Sequence, residues 1–248
     1  NMKQWFEEED FWINYAPIMF DDARWAEAPD VAEYVKSIAN LKDGDSVLDA
    51  GCGLGRISVE LAALNLKVTG VDIIQSELDA AAESAAAEGV ELELINADLR
   101  TFSSSKKFDC AVNLYTSFGY CATEEEDLII IKNIFDSLKD GGTFILECVS
   151  RETAIMYFTK GEEFDRAGMK VTTKFKVEGA WEGLISEWNL EAPNGKKIHH
   201  VFTQRLYSAA HLRDKMKKIG FSKVDVYGDF DFSPYDQNAR TMIIVGKK

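Results

Sequence analysis

The chain has 248 residues, of which 46% are hydrophobic and 28% charged, as is typical of a globular protein with a substantial core. A formal net charge of −14 argues against nucleic acid as a partner, because binding to phosphates needs a basic surface. No apolar run approaches the roughly 20 residues of a membrane span, and the acidic N-terminus does not resemble a secretory signal.

The cysteines are Cys52, Cys110, Cys121 and Cys148. They form no C-x-x-C pair and lie in or beside apolar segments, which is typical of reduced thiols that pack in a core. This usage predicts a cytoplasmic protein. No group of histidine, cysteine and carboxylate residues has the spacing of a metal site, so we expect no bound metal.

Residues 1–40 are predicted to form an N-terminal cap. Disordered segments contain few aromatic residues, whereas this one contains many among its acidic residues: Trp5, Phe6, Phe11, Trp12, Tyr15, Phe20 and Trp25. We therefore expect it to pack on the rest of the chain. Pro29 can begin a helix, and helical spacing predicts its buried stripe at Val31, Tyr34, Val35 and Ile38.

The stretch VLDAGCGLGR, residues 47–56, predicts a buried strand, a glycine-rich turn and the start of a helix. Gly51, Gly53 and Gly55 have no side chains, so the backbone can approach a ligand closely and adopt positive φ angles. Such a unit is typical of a nucleotide-type site at the carboxyl end of a parallel sheet.

Strands and helices alternate from this turn to residue 150. Strands are predicted at residues 46–50, 66–72, 90–95, 108–114 and 143–148. The helices between them run from Arg56 to Leu64, from an N-cap at Ser76 to Gly89, and onward from a capping box of Thr123 and Glu126. This alternation predicts an α/β fold with a parallel, doubly wound sheet.

The pattern changes at residues 151–207, where segments 169–177, 182–190 and 198–206 have partly alternating polarity. Pro193-Asn194-Gly195 predicts a turn between the last two. We therefore predict a small, three-stranded antiparallel β insertion. The core, residues 41–150 and 208–248, resumes with a helix capped by Ser208 and ended by Gly220, followed by strands at 223–227 and 241–245.

Two carboxylates follow the next strands of the predicted sheet. Asp72 ends the second strand, where it can accept hydrogen bonds from both hydroxyls of an adenosine ribose. Asp98 follows the third strand and can face the exocyclic amine of an adenine. The alternatives are an ordinary loop carboxylate at Asp72 and a turn or helix-capping role for Asp98.

Together these motifs resemble those of the class I S-adenosylmethionine-dependent methyltransferases. Residues 49–55, DAGCGLG, are similar to the first motif of that family. Asp72 is similar to its second-strand acidic residue, and Asn96-Ala97-Asp98-Leu99 to its third motif. The resemblance implies a seven-stranded, Rossmann-like methyltransferase sheet with an antiparallel last strand.

The resemblance also implies a binding site for S-adenosylmethionine, with S-adenosylhomocysteine as the product. The implied cofactor-binding residues, together with two candidates from the cap, are Tyr15, Arg24, Asp49, Gly51, Cys52, Gly53, Gly55, Asp72, Ile73, Asp98, Leu99, Asn113 and Leu114. Asp72 would bind the ribose hydroxyls, Asp98 the adenine amine, and Asp49 would lie near the amino group. Arg24 could pair with the cofactor carboxylate, and an ordinary surface arginine is the alternative.

The acceptor is indicated by fewer features. The chain lacks the Asn/Asp-Pro-Pro-aromatic motif of amino-methylating DNA enzymes and the Pro-Cys of cytosine-C5 enzymes. Residues 115–120, YTSFGY, are similar to a segment of small-amine and amino-sugar N-methyltransferases. A small-molecule acceptor, with amines among the options, is therefore expected, without nucleic-acid or membrane partners. The insertion would act as an acceptor lid or as an element of a homodimer. No residue is assigned as catalytic.

Alternative classes remain open at this point. An NAD(P)-dependent oxidoreductase shares the strand, glycine turn and acidic residue, but its G-x-G-x-x-G fingerprint places the third glycine where Arg56 stands here. A non-catalytic S-adenosylmethionine-binding module would keep the same motifs, and aminopropyl transfer on this fold is more remote.

If the N-terminal segment closes the acceptor site, deletion of residues 1–26 should abolish methyl transfer and leave the core folded. Circular dichroism would measure the fold, and transfer of a labelled methyl group would measure turnover. Unchanged turnover in the truncated protein would contradict the closure.

Overall fold

The computed structural model describes residues 5–11, 13, 22–115 and 117–248, without the side chains of residues 5 and 22–25. Two β-sheets organise this part of the chain. None of the helices in these ranges is long and apolar enough to cross a membrane.

The larger sheet has seven strands. In chain order they are β1 (Ser46–Ala50), β2 (Lys67–Asp72), β3 (Glu93–Asn96), β4 (Phe108–Asn113), β5 (Leu138–Cys148), β10 (Lys223–Tyr227) and β11 (Met242–Lys247). Their order across the sheet is β10-β11-β5-β4-β1-β2-β3. β1 to β5 pair in parallel, and β11 is antiparallel to both β5 and β10. The Rossmann-like sheet with an antiparallel last strand is therefore confirmed.

Helices cover both faces of this sheet. They are α1 (Asp22–Ile38), α2 (Arg56–Ala63), α3 (Gln75–Glu88), α4 (Glu124–Ser137), α5 (Arg151–Met156) and α6 (Ala209–Ile219). Successive side chains of β1 point to opposite faces. Val47 accordingly packs in one apolar cluster with α1 and α2, and Leu48 packs in a second with α4 and α6. Burial on both sides explains why β1 is apolar along most of its length.

The start predicted for α1 is wrong. The helix begins at Asp22, and Pro29 lies inside it rather than at its first turn. The buried stripe includes Ala28 and Ala32 as well as Val31 and Val35, whereas the side chain of Tyr34 is exposed. Packing of this stripe against α2 keeps the chain helical across the proline, which sequence preference alone disfavours.

The predicted helix caps have mixed outcomes. Ser208 accepts a hydrogen bond from the His211 N–H and Gly220 ends α6, as predicted. Thr123 accepts from the Glu126 N–H, but the Glu126 carboxylate accepts from the Ala122 N–H rather than from that of Thr123. Ser76 is not an N-cap. α3 begins at Gln75, two residues before the start that an N-cap at Ser76 implies, and its N-cap residue, Ile74, makes no side-chain hydrogen bond to the helix.

The smaller sheet has four antiparallel strands, one more than predicted. They are β6 (Gly161–Arg166), β7 (Met169–Glu178), β8 (Gly183–Glu191) and β9 (Lys197–Arg205). The additional strand, β6, pairs with β7 along its whole length. It is an acidic, mostly exposed edge strand, so its sequence lacks the alternating apolar residues from which strands are predicted.

Asp127 connects the two sheets. Its side chain is fully buried on α4. It accepts hydrogen bonds from the Cys121 N–H at 3.1 Å, the Arg205 guanidinium at 2.6 Å and the Tyr207 hydroxyl at 2.7 Å. Arg205 is the last residue of β9, so this carboxylate ties the base of the smaller sheet to the core.

Replacing Asp127 by alanine should lower the free energy of unfolding by about 2–4 kcal/mol, because it leaves buried donors without an acceptor. Asp136 pairs with Lys132 at an exposed site on the same helix. An Asp136→Ala control should change stability by less than about 0.5 kcal/mol. Urea unfolding would measure both, and equal losses would contradict the role of Asp127.

Candidate functional site

A cavity of about 170 Å³ lies at the carboxyl ends of β1, β2 and β4, beside the glycine turn. The carboxyl ends of parallel strands are where α/β sheets bind ligands. The predicted site residues that line it are Asp49, Gly51, Cys52, Gly53, Asp72, Ile73, Asp98, Leu99 and Leu114. Residues that are far apart along the chain thus meet at one cavity.

Two other predicted site residues, Asn113 and Gly55, are described and do not line the cavity. The buried Asn113 side chain donates to the Ala50 carbonyl and accepts from the Ser117 hydroxyl, both at 3.0 Å, so it joins the ends of β1 and β4 instead of lining the cavity. Gly55 is the N-cap of α2 and packs against α3. Tyr15 lies outside the described residues, as does the side chain of Arg24.

Two positions in the turn require glycine. Gly55 has a φ of +78°, and a Cβ atom there would lie 2.6 Å from the Cβ of Ala81 on α3. Gly53 has a φ of +54°, and a Cβ atom there would lie 2.9 Å from a carboxylate oxygen of Glu77. The contact at Gly55 is shorter than packed carbon atoms allow. At Gly53 the neighbour is the end of a flexible side chain, so there it is the left-handed backbone that favours glycine. The glycines therefore let the turn pack closely against α3 and keep its backbone open to the cavity.

Asp72 holds the turn and the next loop together. One carboxylate oxygen accepts from the Gly53 N–H, and the other accepts from the Ile74 N–H, each at 2.9 Å. Burial raises the pKa of Asp72 above its ordinary value, although these backbone N–H groups act in the opposite direction. Each oxygen retains a lone pair for a ligand hydroxyl.

Asp49 and Cys52 occupy the inner part of the site. Asp49 accepts a hydrogen bond of 2.6 Å from the Ser58 hydroxyl, and burial raises its pKa to about 6. Burial, followed by the charges of Asp49 and Asp72, raises the pKa of the Cys52 thiol far above its ordinary value. Cys52 is therefore protonated at neutral pH and is not a nucleophile.

Asp98 is paired within the protein. Its carboxylate accepts from the Nε and a terminal nitrogen of Arg100, the shorter bond being 2.7 Å, and Arg100 also contacts Glu7 at 3.2 Å. Burial would raise the pKa of Asp98, but the hydrogen bonds and charge of Arg100 outweigh it and lower the pKa. This chain of charges connects the N-terminal segment to the end of β3.

Three charged residues that line the cavity were not among the predicted site residues: Arg56, Glu77 and Arg100, the last of which pairs with Asp98. Arg56 is 4% exposed, and its guanidinium lies 4.3 Å from the ring centre of Tyr115, a residue with a φ of +58°. Glu77 is 5% exposed in the first turn of α3. An arginine on the apolar face of a predicted helix was an available signal. An acidic residue in a first helical turn was not, because it is ordinary there.

Aromatic side chains close the cavity on its other side. The lining includes Phe6 and Phe11 from the N-terminal segment, Tyr120 from the loop after β4, and Phe202 from β9. The ring of Phe202 lies 5.9 Å from that of Phe11 and 6.1 Å from that of Tyr120. The N-terminal segment and the smaller sheet thus meet over the site.

Residues 47–142 match a family model described as a methyltransferase domain. A protein of Geobacillus sp. (strain WCH70), named as a methyltransferase with no stated acceptor, is 31% identical over 82% of this chain and 84% of its own length. The cypemycin N-terminal methyltransferase of Streptomyces is 26% identical over 82% and 83%. The structure of a sugar N-methyltransferase from Streptoalloteichus has a TM-score of 0.71 and 19% identity, covering 100% of this chain and 95% of that one.

The strand order, the antiparallel last strand and the glycine turn define a Rossmann-like methyltransferase. The 31% identity to the Geobacillus methyltransferase, over most of both chains, shows that the two proteins are members of one family. The protein belongs to the class I S-adenosylmethionine-dependent methyltransferases.

Replacing Gly55 by alanine should lower the free energy of unfolding by about 2–4 kcal/mol, because it adds a contact with Ala81 to the cost of a left-handed backbone. Gly89 also has a positive φ, with no atom within 4 Å of a Cβ there. Its alanine variant should lose only about 1–2 kcal/mol. Thermal unfolding would compare them, and equal losses would show that the approach of the turn to α3 is unimportant.

Proposed function

We propose that this methyltransferase transfers a methyl group from S-adenosylmethionine to a nitrogen atom of a small amine. The observation that carries the proposal is a single cavity with two different walls. One wall has carboxylates and an arginine at the ends of β1 and β2, and the other has the aromatic residues contributed by the N-terminal segment and β9.

The first wall suits S-adenosylmethionine. Asp72 offers oxygen acceptors for the ribose hydroxyls, and Gly51 and Gly53 leave room for the backbone to approach the ligand. The Asp49 carboxylate faces the same cavity and suits the amino group. Ile73 and Leu99 supply apolar contacts for the adenine, with Asp98 beside them.

Arg56 is our candidate partner for the carboxylate of the methionine part. A guanidinium is charged at every physiological pH, and a charge buried in a cavity is favoured where an opposite charge can meet it. Arg56 lines the cavity, and this position supports its role as the partner of the ligand carboxylate. The side chain of Arg24 lies outside the described residues, so its pairing with the cofactor carboxylate stays a prediction.

When bound, S-adenosylmethionine supplies a methyl group that is already activated by the positive sulfur. The protein then has to align the acceptor with the sulfur–methyl bond and keep water away. Leu114, Tyr115 and Phe118 line the cavity and are suited to exclude water. An amine needs a free lone pair, and an apolar aromatic wall favours its uncharged form.

The choice of nitrogen has two supports. The acceptor wall formed by Phe6, Phe11, Tyr120 and Phe202 is aromatic, and such a wall binds an organic amine through apolar contact. The second support is the similarity to a relative and a solved structure whose names specify N-terminal and sugar N-methylation. In this proposal the smaller sheet acts as the acceptor lid, and a role as an element of a homodimer is the alternative.

A screen with methyl-labelled S-adenosylmethionine would test the acceptor. We expect label on small amines, including amino sugars, and none on the corresponding compounds with a hydroxyl in place of the amine. Label that appears only on oxygen or carbon acceptors would overturn the choice of nitrogen. A parallel titration with NADH tests the alternative of a nicotinamide enzyme, which would bind NADH tightly and not S-adenosylmethionine.

Asp72→Ala should weaken S-adenosylmethionine binding by 10-fold or more, on the order of two lost hydrogen bonds. Asp79 is an exposed residue of α3, and Asp79→Ala is the matched control with unchanged affinity expected. Isothermal titration calorimetry would measure both. Equal affinity of Asp72→Ala and the unaltered protein would exclude the ribose role of Asp72.

A further inference from the structure

Glu77 is a buried carboxyl group for which the cofactor contacts expected of the family provide no role. It lies in the first turn of α3, is 5% exposed, and lines the same cavity as Asp72. Among the described residues, its buried Oε1 atom has no hydrogen-bond partner. Buried polar atoms are almost always hydrogen-bonded in folded proteins, so a buried carboxyl group that lines the cavity and has an unsatisfied oxygen is a candidate contact for a ligand.

Its position relative to Gly53 indicates which part of a ligand it would meet. The other oxygen, Oε2, lies 2.9 Å from the place of a Cβ atom on Gly53. The Asp72 carboxylate accepts a hydrogen bond from the N–H of the same glycine. The two carboxyl groups therefore flank Gly53, and a ligand group held by Asp72 lies within reach of Glu77.

We infer that Glu77 hydrogen-bonds the ribose diol of S-adenosylmethionine together with Asp72, so that two carboxyl groups hold the sugar. The inference rests on the proposed cofactor site, with Asp72 at the ribose. A vicinal diol has two O–H donors and two oxygen acceptors in a small space. An acceptor and a donor placed side by side satisfy it better than two acceptors.

The protonation of Glu77 makes it the hydrogen-bond donor to the diol. Burial, followed by the charge of Asp72, raises the pKa of Glu77 to about 8, so its carboxyl is mostly protonated at pH 7. The other charged or titratable groups that line this part of the cavity are Asp49, Cys52, Asp72 and Arg56. Asp72 thus accepts from the diol, and the Glu77 O–H donates to it.

The test measures binding of S-adenosylhomocysteine and of its 2′-deoxy and 3′-deoxy forms by calorimetry at pH 7. Three variants are compared with the unaltered protein. Glu77→Met removes the polar group at similar length. Glu77→Gln keeps a neutral donor. Glu83→Met, at an exposed position of α3, is the matched control.

Glu77→Met should bind S-adenosylhomocysteine about 3- to 10-fold more weakly, the range of one hydrogen bond. For one of the two deoxy ligands, Glu77→Met should bind less than about 2-fold more weakly than the unaltered protein, because the hydroxyl that Glu77 contacts is already absent. Glu77→Gln should stay within about 3-fold of the unaltered protein, and Glu83→Met should equal it.

Several results would overturn the inference. They are unchanged affinity in Glu77→Met, an equal deficit with all three ligands, or a loss in Glu77→Gln as large as in Glu77→Met. If Glu77→Met does not fold, the pH dependence of binding provides the test. From pH 7 to 9 the affinity of the unaltered protein for S-adenosylhomocysteine should fall relative to that of Glu77→Gln, because the Glu77 carboxyl group loses its proton. The same pH dependence in both proteins would contradict the role of Glu77 as a hydrogen-bond donor. Absence of binding in the unaltered protein would instead overturn the cofactor site itself.

Discussion

The carboxylate of Asp72 is the contact on which the site depends. It accepts one backbone N–H from the glycine turn and one from the loop that leads into α3, and so fixes two segments that meet at the end of β2. The turn packs closely against α3 because Gly55 has no Cβ atom to collide with Ala81, and Gly53 adopts the left-handed backbone of the turn. Close packing and one hydrogen-bonding group together place the backbone at the wall of the cavity.

This arrangement concentrates carboxyl groups in a region with little solvent. Asp49, Asp72 and Glu77 all have raised pKa values, with burial as the main cause in each case. A site with these carboxyl groups favours a ligand that brings positive charge and hydroxyl donors. Arg56 lines the same cavity and is our candidate partner for a ligand carboxylate. The amino-acid part, the sulfonium and the ribose of S-adenosylmethionine match this set of groups.

The opposite wall is held by different forces. Asp127 anchors β9 to the core through buried hydrogen bonds. The Phe11 ring packs against Phe202 of β9, and Glu7 meets the Arg100–Asp98 pair. The N-terminal segment and the smaller sheet are thereby joined to each other and to the end of β3. The cavity is closed by parts of the chain that lie about 190 residues apart (Phe11 and Phe202), so local sequence patterns do not show that they meet.

The sequence by itself determined the alternation of strands and helices, because hydrophobic periodicity is a local signal. The glycine turn, Asp72 and Asp98 carried the resemblance to the family, and that resemblance implied the seven-stranded sheet and the cofactor. Tertiary structure decided the rest. Pro29 lies inside a helix because packing against α2 outweighs its local preference. β6 is a mostly exposed strand whose pairing with β7 its own sequence pattern does not predict. The Asn113 side chain joins the ends of β1 and β4, whereas the side chains of Arg56 and Glu77 line the cavity. Which side chains face a cavity depends on contacts between distant segments, and one-dimensional spacing does not record those contacts.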